Sequence, residues 1–324
     1  MQHTICIGYA KCGTTMLDVV LRESKLVATP SGRKEIKFFV PPQFPAENAY
    51  QHYLEAFGGP EALAGKPHTF EASPQYCHQT PEAFKALVAR IADVLPAARI
   101  VVCLRHPVVR AYSHYVHNLH NFALYGEGVF TPSRKELVRK VPVRSFRQSL
   151  VHSGRLMTSY HDYLSVVYEA VGRERVSLFF LESDVLRFRD WMAGVFDDAV
   201  AEDLGLSNDH PPNAVIPRRP LPNYAVRQGV LYAFGSRKGE LADYPDLTEA
   251  QTAQVLAARG KWTLRLDRDE MVALTRDFFA EDLEQCAQLT GDERFLRYRD
   301  EPPESQRAVL VDEAALLNLH GVGA

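Results

Sequence analysis

The chain lacks most of the features that would place a protein outside the ordinary globular enzymes. It has five cysteines in 324 residues (Cys6, Cys12, Cys77, Cys103 and Cys286). They show no C-x-x-C spacing, so neither a disulfide framework nor a cysteine metal site is expected. Cys6 and Cys103 fall inside apolar, strand-like runs, where a free thiol packs as a small hydrophobe. No run approaches the roughly eighteen apolar residues that a membrane span needs. No basic segment followed by an apolar stretch opens the chain, so a cytoplasmic protein is expected. The formal net charge is −3, which gives no general attraction to nucleic acid. Internal repeats and low-complexity segments are absent too.

What remains is a balanced composition, 46% apolar and 24% charged, enough to bury a sizeable core. His3 to Gly8 reads as a short buried strand, and a helix starts at Gly13-Thr14-Thr15, with Met16, Val19 and Val20 at helical spacing. Strands are expected at Ile36–Val40, His68–Ala72, Arg99–Leu104 and Val176–Leu181. Helices are expected from about Glu47 to Phe57, Pro81 to Leu95, Pro107 towards Leu119, Met157 to Val171, Asp184 to Phe196 and Arg268 to Leu289. This alternation predicts a three-layer α/β fold, a central parallel sheet flanked by helices. A single domain over residues 1–324 is expected, with an irregular insert at about 121–150 and a proline-rich loop at about 207–223.

The first stretch that carries chemistry is Gly8-Tyr9-Ala10-Lys11-Cys12-Gly13-Thr14-Thr15. A glycine loop between a strand and a helix points backbone N–H groups at an anion, and the helix dipole favours negative charge there. The glycines have the spacing of a nucleotide-triphosphatase loop. In such a loop the position held here by Thr14 is lysine, which serves the β- and γ-phosphates. The lysine here is Lys11, three residues earlier, which suits a shorter anion. The second stretch is Arg105-His106-Pro107-Val108-Val109-Arg110-Ala111-Tyr112-Ser113. Arg105 follows a predicted parallel strand, where open α/β sheets bind ligands. A guanidinium and a hydroxyl together can clamp a phosphate.

These two segments resemble the phosphate-binding motifs of sulfotransferases that use 3'-phosphoadenosine 5'-phosphosulfate (PAPS). The first is similar to the 5'-phosphosulfate loop, G-x-x-K-[ST]-G-T-[ST], with Cys12 in place of a hydroxyl residue. The second is similar to the 3'-phosphate motif and stands about ninety residues further on. The resemblance implies a P-loop-like sulfotransferase fold, PAPS as donor and adenosine 3',5'-bisphosphate as product. It implies nucleotide contacts from Lys11, Cys12, Gly13, Thr14, Thr15, Met16, Arg105 and Ser113. Gly235-Ser236-Arg237-Lys238-Gly239 resembles the R-K-G turn that grips the 3'-phosphate in cytosolic members, so Arg237, Lys238 and Gly239 join the set; Arg218-Arg219 competes for that task. Ser153-Gly154 resembles another family element, with Leu156 at its tyrosine position and Tyr160 a turn away.

Sulfuryl transfer needs a cation on the leaving phosphate and a base for the acceptor proton. Lys11 is the cation, and no metal is required. Lys34-Glu35-Ile36-Lys37-Phe38-Phe39 resembles the K-E-x-x-F-F segment of heparan-type enzymes, whose glutamate is the base, which nominates Glu35. The histidine of phenol and steroid sulfotransferases has no counterpart, because Glu71-Ala72-Ser73-Pro74 carries alanine there. Glu71 is the second candidate base. The expected partner is an acceptor with a hydroxyl or amine: a carbohydrate, a lipid or a small natural product. The alternative is a small-molecule kinase with a variant phosphate loop, and a non-catalytic nucleotide-binding protein is a third reading.

Overall fold

The computed structural model describes residues 1–45, 47–125, 138–142, 146–152, 157–209, 223–227, 230–234 and 268–301. In chain order the elements begin β1 (Gln2–Cys6), α1 (Thr14–Arg22), β2 (Val27–Ala28), α2 (Ala49–Glu55), α3 (Gly59–Leu63), β3 (His68–Ala72), α4 (Pro81–Val94), β4 (Arg99–Leu104) and α5 (Pro107–Tyr125). Next come β5 (Val138–Pro142), α6 (Phe146–His152), α7 (Tyr160–Val171), β6 (Val176–Phe180), α8 (Leu181–Asp184), α9 (Phe188–Val195) and α10 (Asp198–Asp203). The last are β7 (Asn223–Arg227), β8 (Val230–Phe234), α11 (Arg268–Phe278), α12 (Ala280–Thr290) and α13 (Arg294–Asp300). No helix of the described residues is long and apolar enough to cross a membrane.

The chain forms two compact units. The first, residues 1–107, 159–217 and 281–298, holds the predicted parallel sheet, in the order β2-β3-β1-β4-β6. Its strands have no exposed position, as expected where helices cover both faces; β4 is an almost continuous apolar run, while β1 and β3 also bury His3, Thr4, His68, Thr69 and Glu71. The crossover β1–α1–β2 runs to one side of β1, and β3–α4–β4 runs back to the other. Right-handed crossovers in opposite directions put α1 and α4 on opposite faces, and α7 packs beside α4. α4 is capped by the Thr80 hydroxyl, which accepts from the Ala83 N–H at 3.3 Å, with Pro81 at its first position.

The second unit comprises residues 108–158, 218–280 and 299–324. It holds an antiparallel sheet, β5-β8-β7, and the helices α6 and α11. Tyr112 stands edge-on to Phe146, with ring centroids 4.8 Å apart. Arg147 bonds Asp277 at 2.8 Å and lies over the Phe278 ring.

Three expectations change. Ile36–Val40 is not a strand but a turn: Lys37 has φ 53, and the Val40 N–H bonds the Lys37 carbonyl at 3.0 Å. The sheet place it would have taken belongs to Val27–Ala28, which pairs with β3. Helix Arg268–Leu289 is two helices that break at Phe279. Just before the break, the Thr275 hydroxyl bonds back to the Met271 carbonyl at 2.7 Å, a contact that bends helices. The insert is less irregular than its composition suggests, since α5 runs to Tyr125 and β5 and α6 follow. Most of the proline-rich stretch lies outside the described residues, as do Ser153, Gly154 and Leu156.

Gly8 shows how closely β1 and β4 approach. A Cβ there would stand 2.1 Å from the Cys103 amide nitrogen and 2.9 Å from the Val102 carbonyl carbon. Both are backbone atoms, so the strands themselves would have to part. Gly8→Ala is expected to cost about 3 kcal/mol or more, read as a lower denaturant midpoint. Gly194→Ala, with open space around its Cβ in α9, should be neutral or slightly stabilising. Equal midpoints for the two variants would refute this account of the strand contact.

Candidate active site

A parallel sheet binds ligands where neighbouring strands send their connections in opposite directions, beyond their carboxyl ends. Here β1 leads away to β2 and β4 leads away to β6, so the switch point lies between β1 and β4. The segments beyond those two strands are the glycine loop and Arg105-His106-Pro107. The topology therefore brings together the glycine loop and the Arg105 end of the second motif.

The loop leaves β1 still paired to β4, with Ile7 N–H on the Val101 carbonyl (3.1 Å) and Tyr9 N–H on the Cys103 carbonyl (3.3 Å). It then closes on itself, with Cys12 N–H on the Tyr9 carbonyl at 3.3 Å. Lys11 (φ 72) and Gly13 (φ 91) are left-handed. For a lysine that conformation costs about 1–2 kcal/mol, and such strain gathers where a site is pre-shaped. The Lys11 carbonyl accepts from Arg105 Nη1 at 3.3 Å, which holds the curl in place.

The predicted loop residues divide into two sets. Met16 gives its N–H to the Gly13 carbonyl at 2.8 Å and buries its side chain. Cys12 is fully buried, with its amide turned towards Tyr9. These two shape the loop. Thr14 and Thr15 open α1, where amides have no intrahelical partner and face an incoming anion.

Arg105 sits one residue beyond β4 with its side chain 15% exposed. Its Nε lies 3.4 Å from Glu182 Oε1, an ion pair that is not aligned as a hydrogen bond. Glu182 follows β6, the next strand over, in matching register with the end of β4. The same carboxylate accepts from the Tyr298 hydroxyl at 2.5 Å and the His106 N–H at 3.4 Å. Tyr160 donates its hydroxyl to the Arg105 carbonyl at 2.8 Å, and its ring lies 4.6 Å from that of Tyr9. A guanidinium has five donors; here Nη1 is bonded to the Lys11 carbonyl, and the charge of Glu182 holds the group beside the loop. His106 is fully buried, and burial with Arg105 beside it drops its pKa to about 3, so it is neutral at pH 7. The sequence reading missed Glu182 and Tyr298. The available signal was an acidic residue just past a parallel strand, next to one already nominated. Ser113 is half-buried on the second turn of α5. Arg218, Arg219, Arg237, Lys238 and Gly239 lie outside the described residues.

The Lys34-Glu35 segment meets the loop directly. Lys34 Nζ is 3.1 Å from the Thr14 hydroxyl, 3.2 Å from the Thr15 hydroxyl and 3.6 Å from the Glu35 carboxylate. The Glu35 side chain is 30% exposed. Glu71, in contrast, is completely buried and accepts from the Ser73 and Tyr76 hydroxyls, both at 2.7 Å. Burial raises its pKa to about 7, against the pull of those two donors. Ser73 Oγ also accepts from the Lys37 N–H at 3.2 Å, so Glu71 and Ser73 brace the turn that follows Glu35. His68 bonds Asp197 at 2.9 Å, at the other end of β3, an ordinary structural role.

No curated protein matches the sequence. Among solved structures, the crystal structure of a sulfotransferase from Alicyclobacillus acidocaldarius is similar at 21% identity and a TM-score of 0.51. The match covers 92% of this chain and 99% of that one, and at this identity it speaks for the fold. The sulfotransferase domain family matches residues 1–192, the stretch that carries the loop, the Lys34-Glu35 segment, Arg105 and Glu182. With more than half its length in that match and its phosphate loop at the switch point of the sheet, the chain belongs to the sulfotransferase family, enzymes that draw their sulfuryl group from PAPS.

Proposed function

We propose that the chain acts as one catalytic domain that transfers sulfuryl from PAPS to a hydroxyl, or an amine, of a carbohydrate, lipid or small natural product, with Glu35 as base and Lys11 as the cation for the leaving phosphate. The observation that carries this reading is the contact of Lys34 with Thr14 and Thr15. It sets the neighbouring carboxylate, Glu35, beside the anion-binding end of α1, where an acceptor must arrive. Glu71 is enclosed by protein, so an acceptor hydroxyl has no route to it.

Each residue has a defined task. The amides at the start of α1 and the Lys11 ammonium hold the phosphate end of the donor. Arg105, bonded to the Lys11 carbonyl and paired with Glu182, is assigned the 3'-phosphate, together with Ser113, Arg237, Lys238 and Gly239 on motif resemblance. Glu35 takes the acceptor proton. Bound PAPS supplies a sulfuryl group already activated on a phosphate oxygen. The K-E-x-x-F-F resemblance favours a sugar hydroxyl among the acceptors.

Calorimetric titration with adenosine 3',5'-bisphosphate tests the donor reading. Saturable binding without added metal is expected, with ATP and Mg²⁺ much weaker. Tight ATP–Mg²⁺ binding with no response to the bisphosphate would refute it. A panel of sugar, lipid and phenolic hydroxyls with sulfur-labelled PAPS then identifies the acceptor class.

A further inference from the structure

We propose that Lys34 is a second binding cation for the 5'-phosphate end of the donor, so that two ammonium groups serve one anion, Lys11 from within the loop and Lys34 from the segment after β2. This rests on the donor reading above and adds a ligand contact to it.

The argument is electrostatic. Lys34 places its ammonium 3.1 and 3.2 Å from the hydroxyls of the first two residues of α1. That is the positive end of the helix, where amides and dipole repel a cation and attract an anion. The helix has no acidic residue in its first turn to offset this. The carboxylate paired with Lys34 is Glu35, at 3.6 Å and partly exposed. A lysine so placed is poorly compensated by the protein, and an anion at the helix end would satisfy ammonium and amides together. The Lys34 side chain is only 18% exposed, so it is directed at this point and not dispersed in solvent. Its two contacts are hydroxyls, which accept from Lys34 and still keep a proton to donate to a phosphate oxygen.

The test compares two nucleotides that differ only at the 5' position. For Lys34→Gln, affinity for adenosine 3',5'-bisphosphate should fall about tenfold to a hundredfold, the worth of a charge-assisted hydrogen bond. Affinity for adenosine 3'-monophosphate, which has no 5'-phosphate, should stay within about twofold, and Lys34→Arg should recover most of the loss. Unchanged bisphosphate affinity in Lys34→Gln would overturn the inference. Equal losses for both nucleotides would overturn it too, because Lys34 would then be supporting the loop without touching the ligand. If the parent protein itself bound no bisphosphate, the donor reading would fail first, and this inference with it.

Discussion

Lys11→Ala is expected to lower sulfuryl transfer by about a thousandfold, the upper range for removing one pre-oriented donor from a developing oxyanion. The position is specific. Lys11 is held left-handed at φ 72, its carbonyl tied to Arg105 at 3.3 Å. The side chain therefore leaves a fixed point of the loop. Alanine suffers the same left-handed strain as lysine, so the backbone has no new reason to move. The variant should keep its unfolding midpoint and lose only the ammonium. Bisphosphate binding should weaken by far less than turnover, about tenfold, because the amides of α1 and Arg105 still hold the nucleotide. The two effects separate because charge on the leaving phosphate grows only as transfer proceeds. Turnover is read as bisphosphate release from PAPS with an acceptor found in the panel. A loss confined to nucleotide affinity, with the saturated rate unchanged, would show that Lys11 binds the ground state and nothing more.

How much of this was legible in the sequence depends on the range of the interactions. The loop, Arg105 and the strand and helix starts beside them are local patterns: apolar runs, a glycine pair, a proline at a helix start. Those give the α/β fold directly. The sequence predicts a strand at Ile36–Val40 because two phenylalanines and a valine look the same in a strand and in a buried turn. What decides it is distant, namely the Ser73 hydroxyl taking the Lys37 N–H and Val27–Ala28 holding the place beside β3. Glu182 and Tyr298 were invisible for a similar reason. Their link to Arg105 and His106 depends on β6 lying next to β4, a fact of sheet order. Lys34 stands in a recognisable motif, but its contact with Thr14 and Thr15 requires the chain to fold back across the helix end. In the antiparallel sheet β5-β8-β7, β7 pairs with β8 close by in sequence, but β5 pairs with β8 about ninety residues further on, and no local pattern announces that second pairing.

Glu35→Gln should lower the saturated rate of transfer by about a hundredfold to ten-thousandfold, the usual contribution of general-base catalysis. Binding of adenosine 3',5'-bisphosphate should be nearly unaffected. Glutamine keeps the size and the polar contact to Lys34 but cannot take a proton. Glu71 provides the internal control. It is buried, and its pKa stands near 7 because burial outweighs the Ser73 and Tyr76 hydroxyls. Its pKa is raised above the unfolded value, so stability is greatest when both states are protonated. That contribution is lost as pH rises from about 4.5 through 7. Glu71→Gln should therefore flatten the pH dependence of stability across that window while leaving most of the rate intact. If Glu71 were the base, the rate would instead rise with pH around 7 and that limb would vanish in Glu71→Gln. A parent-like rate in Glu35→Gln, together with that pattern in Glu71→Gln, would transfer the role from the exposed carboxylate to the buried one. The expectation here is the reverse, because the acceptor must reach its base, and of the two carboxylates only Glu35 is open to it.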